Sequence, residues 1–558
     1  MLLSGADIVI KTLLEQGCNV VFGYPGGQIL NVYDSLYKYK DEIRHVLSAH
    51  EQGAAHAADG YARATGKVGV VLATSGPGAT NLVTGIATAH LDSVPMVAIT
   101  GNVATSQIGY DSFQEIDITG ITLPITKHNY FVENVEELAD TIREAFSLAM
   151  SGRPGPVLVD IPKDVQTAMC EYTPTPAVTM EEKLPARDKK IAAAAKCINE
   201  SERPYIYFGG GLVSSGAAEE LMELADKIDA PIGCSMMGLS GIPSDHPRFL
   251  GMQGMHGKYA ASAAMNSADC IISLGTRFND RVIGDRENFA LKAKIVHIDI
   301  DASELSKTIT AHHNLRGDIK KTLEKLIPEL TEKTHPKWQK EIETLCKKGF
   351  EYEDKRGGMT PKNILEMLGG YIKPDMPVAT DVGQHQMWAA QSLKFAENRK
   401  FISSGGLGTM GFGLGAAIGA HIGTGKQTVL ITGDGSFGMS LNELVTAVEN
   451  SIPLVILIMN NGVLGMVRQM QTMHFEKHYS GTVLGRPTDF VKVAQAFGAK
   501  GEKASTLDEL KTAFDNAFSC GGTYVIDCAI DKDEFVLPVM SRSGRTEEII
   551  VEREEYLK

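Results

Sequence analysis

The sequence predicts an α/β protein built from three doubly wound parallel-sheet domains. Short β-branched runs alternate with longer helix-like segments along the whole chain. The runs are nearly continuous in apolar residues, as strands buried on both faces require. Two polar stretches without strand character divide the 558 residues, a length that suits roughly three domains.

In chain order the expected strands are His45–Ser48, Val68–Ala73, Pro95–Thr100, Pro156–Asp160, Tyr205–Phe208, Cys270–Leu274, Lys294–Asp299, Pro377–Thr380, Thr428–Thr432 and Pro453–Asn460. The first divider is Glu171–Lys190, with Pro174, Pro176 and Pro185, and the second is Thr331–Gly358. Domains are therefore expected at 1–170, 190–335 and 360–545, followed by a charged tail at 546–558.

Composition narrows the function classes. The net charge is −14 and no basic stripe offsets it, which argues against nucleic acid as a partner. Met1–Asp7 lacks a basic leader, and no apolar run reaches about 18 residues without a charge or turn signal. The expectation is a cytoplasmic protein with no membrane span. Its eight cysteines form no CxxC pair and suit a reducing compartment.

The first and third domains share a pattern. Val70–Gly78 and Val429–Gly435 each read as a strand followed by a Gly-rich turn. The same spacing separates Thr74 from Pro95 and Thr432 from Pro453. Only the later copy carries oxygen ligands: Gly76 falls opposite Asp434, and Val103 opposite Asn461. Such self-similarity marks a duplicated scaffold, or else two ordinary strand–helix–strand units that coincide.

Gly433-Asp434-Gly435-Ser436 followed by Asn460-Asn461 is the strongest motif. A right-handed crossover places both strand ends at one sheet edge, where such folds bind ligands. Ser440-Leu441-Asn442-Glu443 reads as a capping box opening the intervening helix. Asp434, the Asn461 amide oxygen and the Val463 carbonyl suit a hard cation such as Mg²⁺, while the glycines let N–H groups approach phosphate. The plainer alternative is a turn aspartate and a strand-end asparagine with local hydrogen bonds.

Glu51 opens a helix directly after the run His45–Ser48. Taken alone, an acid there offsets the helix macrodipole. Met410, within Gly405–Gly411, is either a core methionine or an unbranched support beneath a bent ligand.

With Gly433–Ser436 and Asn460-Asn461 in place, the chain resembles thiamine diphosphate-dependent enzymes. Phe22–Gly27, Asp111–Glu115, Gly152–Pro156, Gly254–Gly257, Arg277–Gly284 and Asp381–Trp388 narrow that resemblance to acetolactate (acetohydroxyacid) synthase catalytic large subunits. It implies three cofactors: thiamine diphosphate, Mg²⁺ and FAD. Asp434, Asn461 and Val463 would hold the metal. Val382, Gly383, Gln384, His385, Gly408, Met410, Gly435, Ser436 and Met466 would surround the thiamine cofactor.

Glu51 would hydrogen-bond the aminopyrimidine ring. Gly27, Phe113, Gln114 and Lys163 would face the reacting carbon, and Arg281 would grip the carboxylate of the second 2-oxo acid. For Arg281 the alternative is an ion pair with Asp280 or Asp285. Arg153, Gly209, Gly210, Gly211, His256, Arg277, Asp299 and Asp318 would contact FAD in the central, nucleotide-binding-like domain.

The implied reaction decarboxylates pyruvate and joins the remaining two-carbon unit to a second pyruvate or to 2-oxobutyrate. The resemblance also implies a homodimer or homotetramer, and a small regulatory subunit is a further candidate partner. Met470 stands where relatives carry tryptophan, which implies weaker discrimination between the two acceptors. Asn279 replaces an aspartate common in the family. A FAD-free degradative acetolactate synthase, a pyruvate oxidase-like enzyme and a non-catalytic cofactor-binding regulatory protein are the competing readings.

Overall fold

A computed structural model describes residues 1–179, 182–541, 543–545 and 548–552 of the protein. Each apolar run expected as a strand forms one, in one of three six-stranded sheets whose neighbouring strands pair in parallel. Helices cover both faces, so residues such as Val71, Ile272 and Ile456 are fully buried.

The N-terminal sheet runs, edge to edge, Arg44–Leu47, Val20–Gly23, Gly69–Ala73, Met96–Asn102, Pro156–Pro162 and His128–Phe131. The C-terminal sheet runs Phe401–Ile402, Val378–Thr380, Thr428–Gly433, Leu454–Asn460, Tyr524–Ala529 and Lys500–Ala504. Numbered within each sheet, both follow the order 2-1-3-4-6-5. This shared wiring is the structural counterpart of the repeat seen in the sequence. The central sheet runs Phe249–Met252, Ile232–Cys234, Pro204–Phe208, Cys270–Leu274, Lys294–Asp299 and His313–Arg316. Its order, 3-2-1-4-5-6, is that of dinucleotide-binding sheets.

Small residues set how the two outer units meet. Helix Glu51–Thr65 crosses helix Phe412–Thr424 at backbone distance. A Cβ on Gly60 would strike the Ala416 carbonyl, and one on Gly419 would strike the Ala57 carbonyl. Around this crossing Arg63 Nη1 donates to the Ser403 carbonyl at 2.9 Å, and the hydroxyls of Thr88 and Thr409 lie 2.8 Å apart.

The second divider holds a helix, Pro336–Glu351, anchored by Trp338 Nε1 donating to the Pro204 carbonyl at 3.0 Å. Among the described residues no helix is long and apolar enough to cross a membrane. Of the expected tail, residues 546–547 and 553–558 lie outside the described residues.

One local expectation is overturned. Ser440 does not cap a new helix; it is the last residue of helix Asp434–Ser440, and its hydroxyl has no partner. Glu443 does not fold back toward it. Its carboxylate crosses to the N-terminal unit and accepts the N–H groups of Ala49 and His50. Those donors, at the start of another helix, have no intrahelical acceptor, so the carboxylate is better satisfied there than by its own chain turn.

Candidate active site

The strand order of the C-terminal sheet reverses between Val378–Thr380 and Thr428–Gly433, the place where open α/β sheets bind ligands. A cleft opens there. Val382, Gly383, Gln384 and His385 follow the first of these strands, and Asp434, Gly435 and Ser436 follow the second. Asn461 and Val463 follow the next strand, and Met410 and Met466 complete the wall. Gly408 stands just behind: a Cβ there would lie 3.9 Å from the Val382 side chain.

The local sequence explains this geometry. Asp434 is the first residue of a helix, so its carboxylate lies at the positive end. Burial pushes that carboxyl up to about 6, against the pull of the N–H groups of Asp434, Gly435 and Asn461. No ion pair to Asp434 is found among the described residues. A Cβ on Gly435 would sit 2.7 Å from Leu464 Cδ2, so the leucine side chain would have to shift to admit one.

Ser436 Oγ donates to the Val382 carbonyl at 2.9 Å, tying the two turns together. Asp381 braces them from below, accepting from the N–H groups of Val382 at 2.9 Å and Gly411 at 2.8 Å. His385 is buried, which pushes its imidazole down to about 3 and keeps it neutral, and its Nε2 has no partner. Asn461 Oδ1 accepts from the Val463 N–H at 3.2 Å.

A buried carboxylate without a counter-charge, an amide oxygen and a nearby backbone carbonyl make a hard-oxygen donor set. That set, the orphaned His385 nitrogen and the glycine turn together suit a divalent cation carrying a phosphate.

The remaining expected residues are not in this cleft, whose wall uses only residues 382–467. Glu51 is the first residue of its helix and is held by Asn81 Nδ2, which donates to it at 3.0 Å. Gly27 and Lys163 lie exposed on the same N-terminal unit. Phe113 is 84% exposed, on a turn braced by Glu115, which accepts from the Ser112 N–H at 2.8 Å. Gln114 in that turn adopts φ 63°, uncommon for a side chain-bearing residue. Arg281 is also exposed; its nearest acid is Asp280 at 3.7 Å, and no bridge to Asp285 forms among the described residues. Glu51, Gly27, Phe113, Gln114, Lys163 and Arg281 therefore stand apart from the cleft that Asp434 lines.

A separate cavity of about 290 Å³ opens at the reversal point of the central sheet. Arg153, Gly210, Gly211, Arg277, Asp299 and Asp318 line it. Arg63, Asp92 and Arg399 join them from the flanking units. Gly209 lies beneath the wall, packed on the Gly275 carbonyl, and Arg153 Nη1 bonds Glu304 at 2.9 Å. His256 does not reach this cavity. It is half-buried, and its carbonyl accepts from Gln391 Nε2 at 2.8 Å.

The brace made by Asp381, the long-range contacts of Glu443 and the Arg63–Asp92 pair escaped the sequence reading. Asp381 left one usable trace, an acid directly after a buried strand. The others act across more than three hundred residues or between helix faces, and no local pattern marks them.

Family models match all three units. The N-terminal thiamine pyrophosphate-binding domain model matches residues 3–121, the central domain model 191–326, and the C-terminal thiamine pyrophosphate-binding domain model 381–528. Fold and site thus define a thiamine pyrophosphate enzyme.

The chain is 44% identical over 566 residues to the probable acetolactate synthase large subunit of Methanocaldococcus jannaschii, covering 98% of this chain and 95% of that one. It is 43% identical over 551 residues to the acetolactate synthase isozyme 2 large subunit of Escherichia coli, covering 98% and 99%. For isozyme 3 of the same organism the figures are 40% over 571 residues, covering 99% of each. The chain belongs to the acetolactate synthase large-subunit family.

Proposed function

We propose that this chain makes 2-acetolactate from two pyruvates, or 2-aceto-2-hydroxybutyrate from pyruvate and 2-oxobutyrate, for branched-chain amino acid synthesis in the cytoplasm. The observation that carries the reading is the buried, unpaired Asp434 beside Asn461 and Val463 at the reversal point of the sheet.

Asp434, the Asn461 amide oxygen and the Val463 carbonyl would hold Mg²⁺. Gly435, Ser436, Gln384 and His385 would hold the diphosphate, and Met410 and Met466 would pack against the rings. Thiamine diphosphate supplies a nucleophilic ring carbon that adds to the 2-oxo group and takes up the electron pair left by departing CO₂.

Glu51 would hold the proton that the aminopyrimidine shares. It stands outside the cleft of its own chain, so it would serve the cleft of a second copy in a homodimer or a dimer of dimers. Gly27, Phe113, Gln114 and Lys163 would arrive with it and exclude water from the reacting carbon. Arg281 would clamp the carboxylate of the second 2-oxo acid with its guanidinium fork.

The central cavity offers arginines for a pyrophosphate, glycine N–H groups at a helix start, and acids for ribose hydroxyls. That chemistry suits FAD. The units 1–170, 190–335 and 360–545 would then be the pyrimidine-binding, FAD-binding and diphosphate-binding domains. The relatives are named large subunits, which supports a smaller regulatory partner.

The test is product analysis with pyruvate alone and then with 2-oxobutyrate added, on protein whose bound flavin has been quantified. Acetolactate formation dependent on thiamine diphosphate and Mg²⁺ is expected. Failure to take up thiamine diphosphate with Mg²⁺ present overturns the reading.

A further inference from the structure

Glu443 is an acid with no place in the cleft described above, yet it is only 2% exposed. It follows the helix that begins at Asp434 and points away from the cation-binding residues, into the N-terminal unit. One carboxylate oxygen accepts the His50 N–H at 3.0 Å and the other accepts the Ala49 N–H at 3.1 Å. Thr446 Oγ1 donates to the second oxygen at 2.7 Å. Burial pushes this carboxyl up, and the three donors pull it back toward the charged form.

The two amides belong to the entry of the helix that carries Glu51. His50 is its N-cap and also accepts the Gln52 N–H on its own ring nitrogen at 3.1 Å. Glu51 comes next in the chain. A carboxylate here satisfies donors the helix cannot, and its charge lies at the positive end of the helix. The site is shaped for it: a Cβ on Gly53, one turn on, would overlap the Glu443 carboxylate.

We infer that Glu443 is a positioning residue for the reaction, a clamp from the cation-binding half that fixes the first turn of the helix presenting Glu51. This rests on the role proposed above for Glu51. Two contacts on successive amides fix both the height and the rotation of the helix start. Misplacing a reacting group by about 1 Å can cost on the order of 10²-fold in rate. An apolar filler would leave both amides without an acceptor. A bidentate carboxylate instead specifies where the backbone stops.

The experiment uses the full-length protein and two readouts. The first is hydrogen–deuterium exchange of the Ala49 and His50 amides without cofactor, in wild type, Glu443→Gln, Glu443→Ala and Gly53→Ala. The second is deuterium exchange at the reactive ring carbon of bound thiamine diphosphate, followed by NMR beside the affinity for the cofactor. Amide exchange should quicken at least about tenfold in Glu443→Ala, and less in Glu443→Gln, which keeps one acceptor. Ring-carbon exchange should slow about tenfold or more while cofactor affinity stays within about twofold. Gly53→Ala should reproduce the defect from the other side, and Thr446→Val should leave the amides protected.

Unchanged amide exchange in both Glu443 variants overturns the clamp. So does ring-carbon exchange that survives them while Glu51→Gln abolishes it. Ring-carbon exchange that survives in Glu51→Gln overturns the reading of Glu51 and the clamp's purpose together, although the amide readout, which needs no cofactor, still reports whether the contact holds.

Discussion

Arg63 holds Asp92 at 2.9 Å with the two side chains 9% and 1% exposed. The same carboxylate accepts the N–H groups of Gly405 at 3.1 Å and Gly406 at 2.7 Å, at the start of the loop that ends in Met410. Arg63 and Asp92 also form part of the wall of the central cavity. One ion pair therefore borders both the central cavity and the loop that leads to the C-terminal cleft.

Removing one partner of a buried ion pair strands the other charge, at a cost of about 3–5 kcal/mol. Asp92→Ala should lose stability in that range, reduced by whatever Arg63 recovers from Asp59. Denaturant unfolding measures it. The variant should also bind less flavin and less thiamine diphosphate, read by absorbance and by titration.

Gly419→Ala sets two effects against each other. Alanine favours a helix interior by roughly 1 kcal/mol over glycine. Here its Cβ would strike the Ala57 carbonyl where the two helices cross. Backbone does not yield as a flexible side chain does, and overpacking costs about 1–3 kcal/mol or more. The net change should be a loss, seen as a lowered unfolding temperature, whereas the same substitution at the solvent-exposed Gly369 should not lower it.

Asp160 gives a pH dependence. Burial pushes its carboxyl up to about 7, although Thr100 and Asn102 each donate to it at 2.6 Å. Unfolded, an aspartate titrates near 4. Between about pH 4 and pH 7 the folded form thus holds a proton that the unfolded form has lost. Stability then falls as pH rises through this window, by up to about 1.4 kcal/mol per pH unit for one group. In Asp160→Asn the amide can accept from Asn102 and donate to Thr100, so the slope between pH 5 and pH 7 should flatten. Denaturant midpoints across that range check it.

Met470 sits half-buried on helix Gly465–His474, which begins at the cleft wall. A flexible thioether fits two acceptor sizes with little preference. Met470→Trp should raise the preference for 2-oxobutyrate over pyruvate by about tenfold or more, within the roughly 1–3 kcal/mol that one methylene can supply. The product ratio with both acids present measures it.

What the sequence made legible follows from burial. Strands covered on both faces, such as Thr428–Gly433 and Leu454–Asn460, stand out as unbroken apolar runs. Most edge strands do not. Lys500–Ala504 and His313–Arg316 pair on one side only and carry polar residues. Tyr524–Ala529 is central but was masked by Asp527, whose charge is answered by Asn460 Nδ2 at 2.8 Å.

The cleft was legible for a related reason. Its residues follow strand ends, where glycines and oxygen ligands sit together in the chain. Glu443 was misread because a capping box and a long-range clamp use the same residue type at the same spacing. Only the fold shows which donors lie nearest.

Asp434 lines the cleft and Glu51 does not, so in the proposed assembly the smallest competent unit is larger than the chain itself. Mass action then governs catalysis as well as substrate binding. On dilution, activity would be lost as partners separate, and the concentration of protein would become a variable of the reaction rate in its own right.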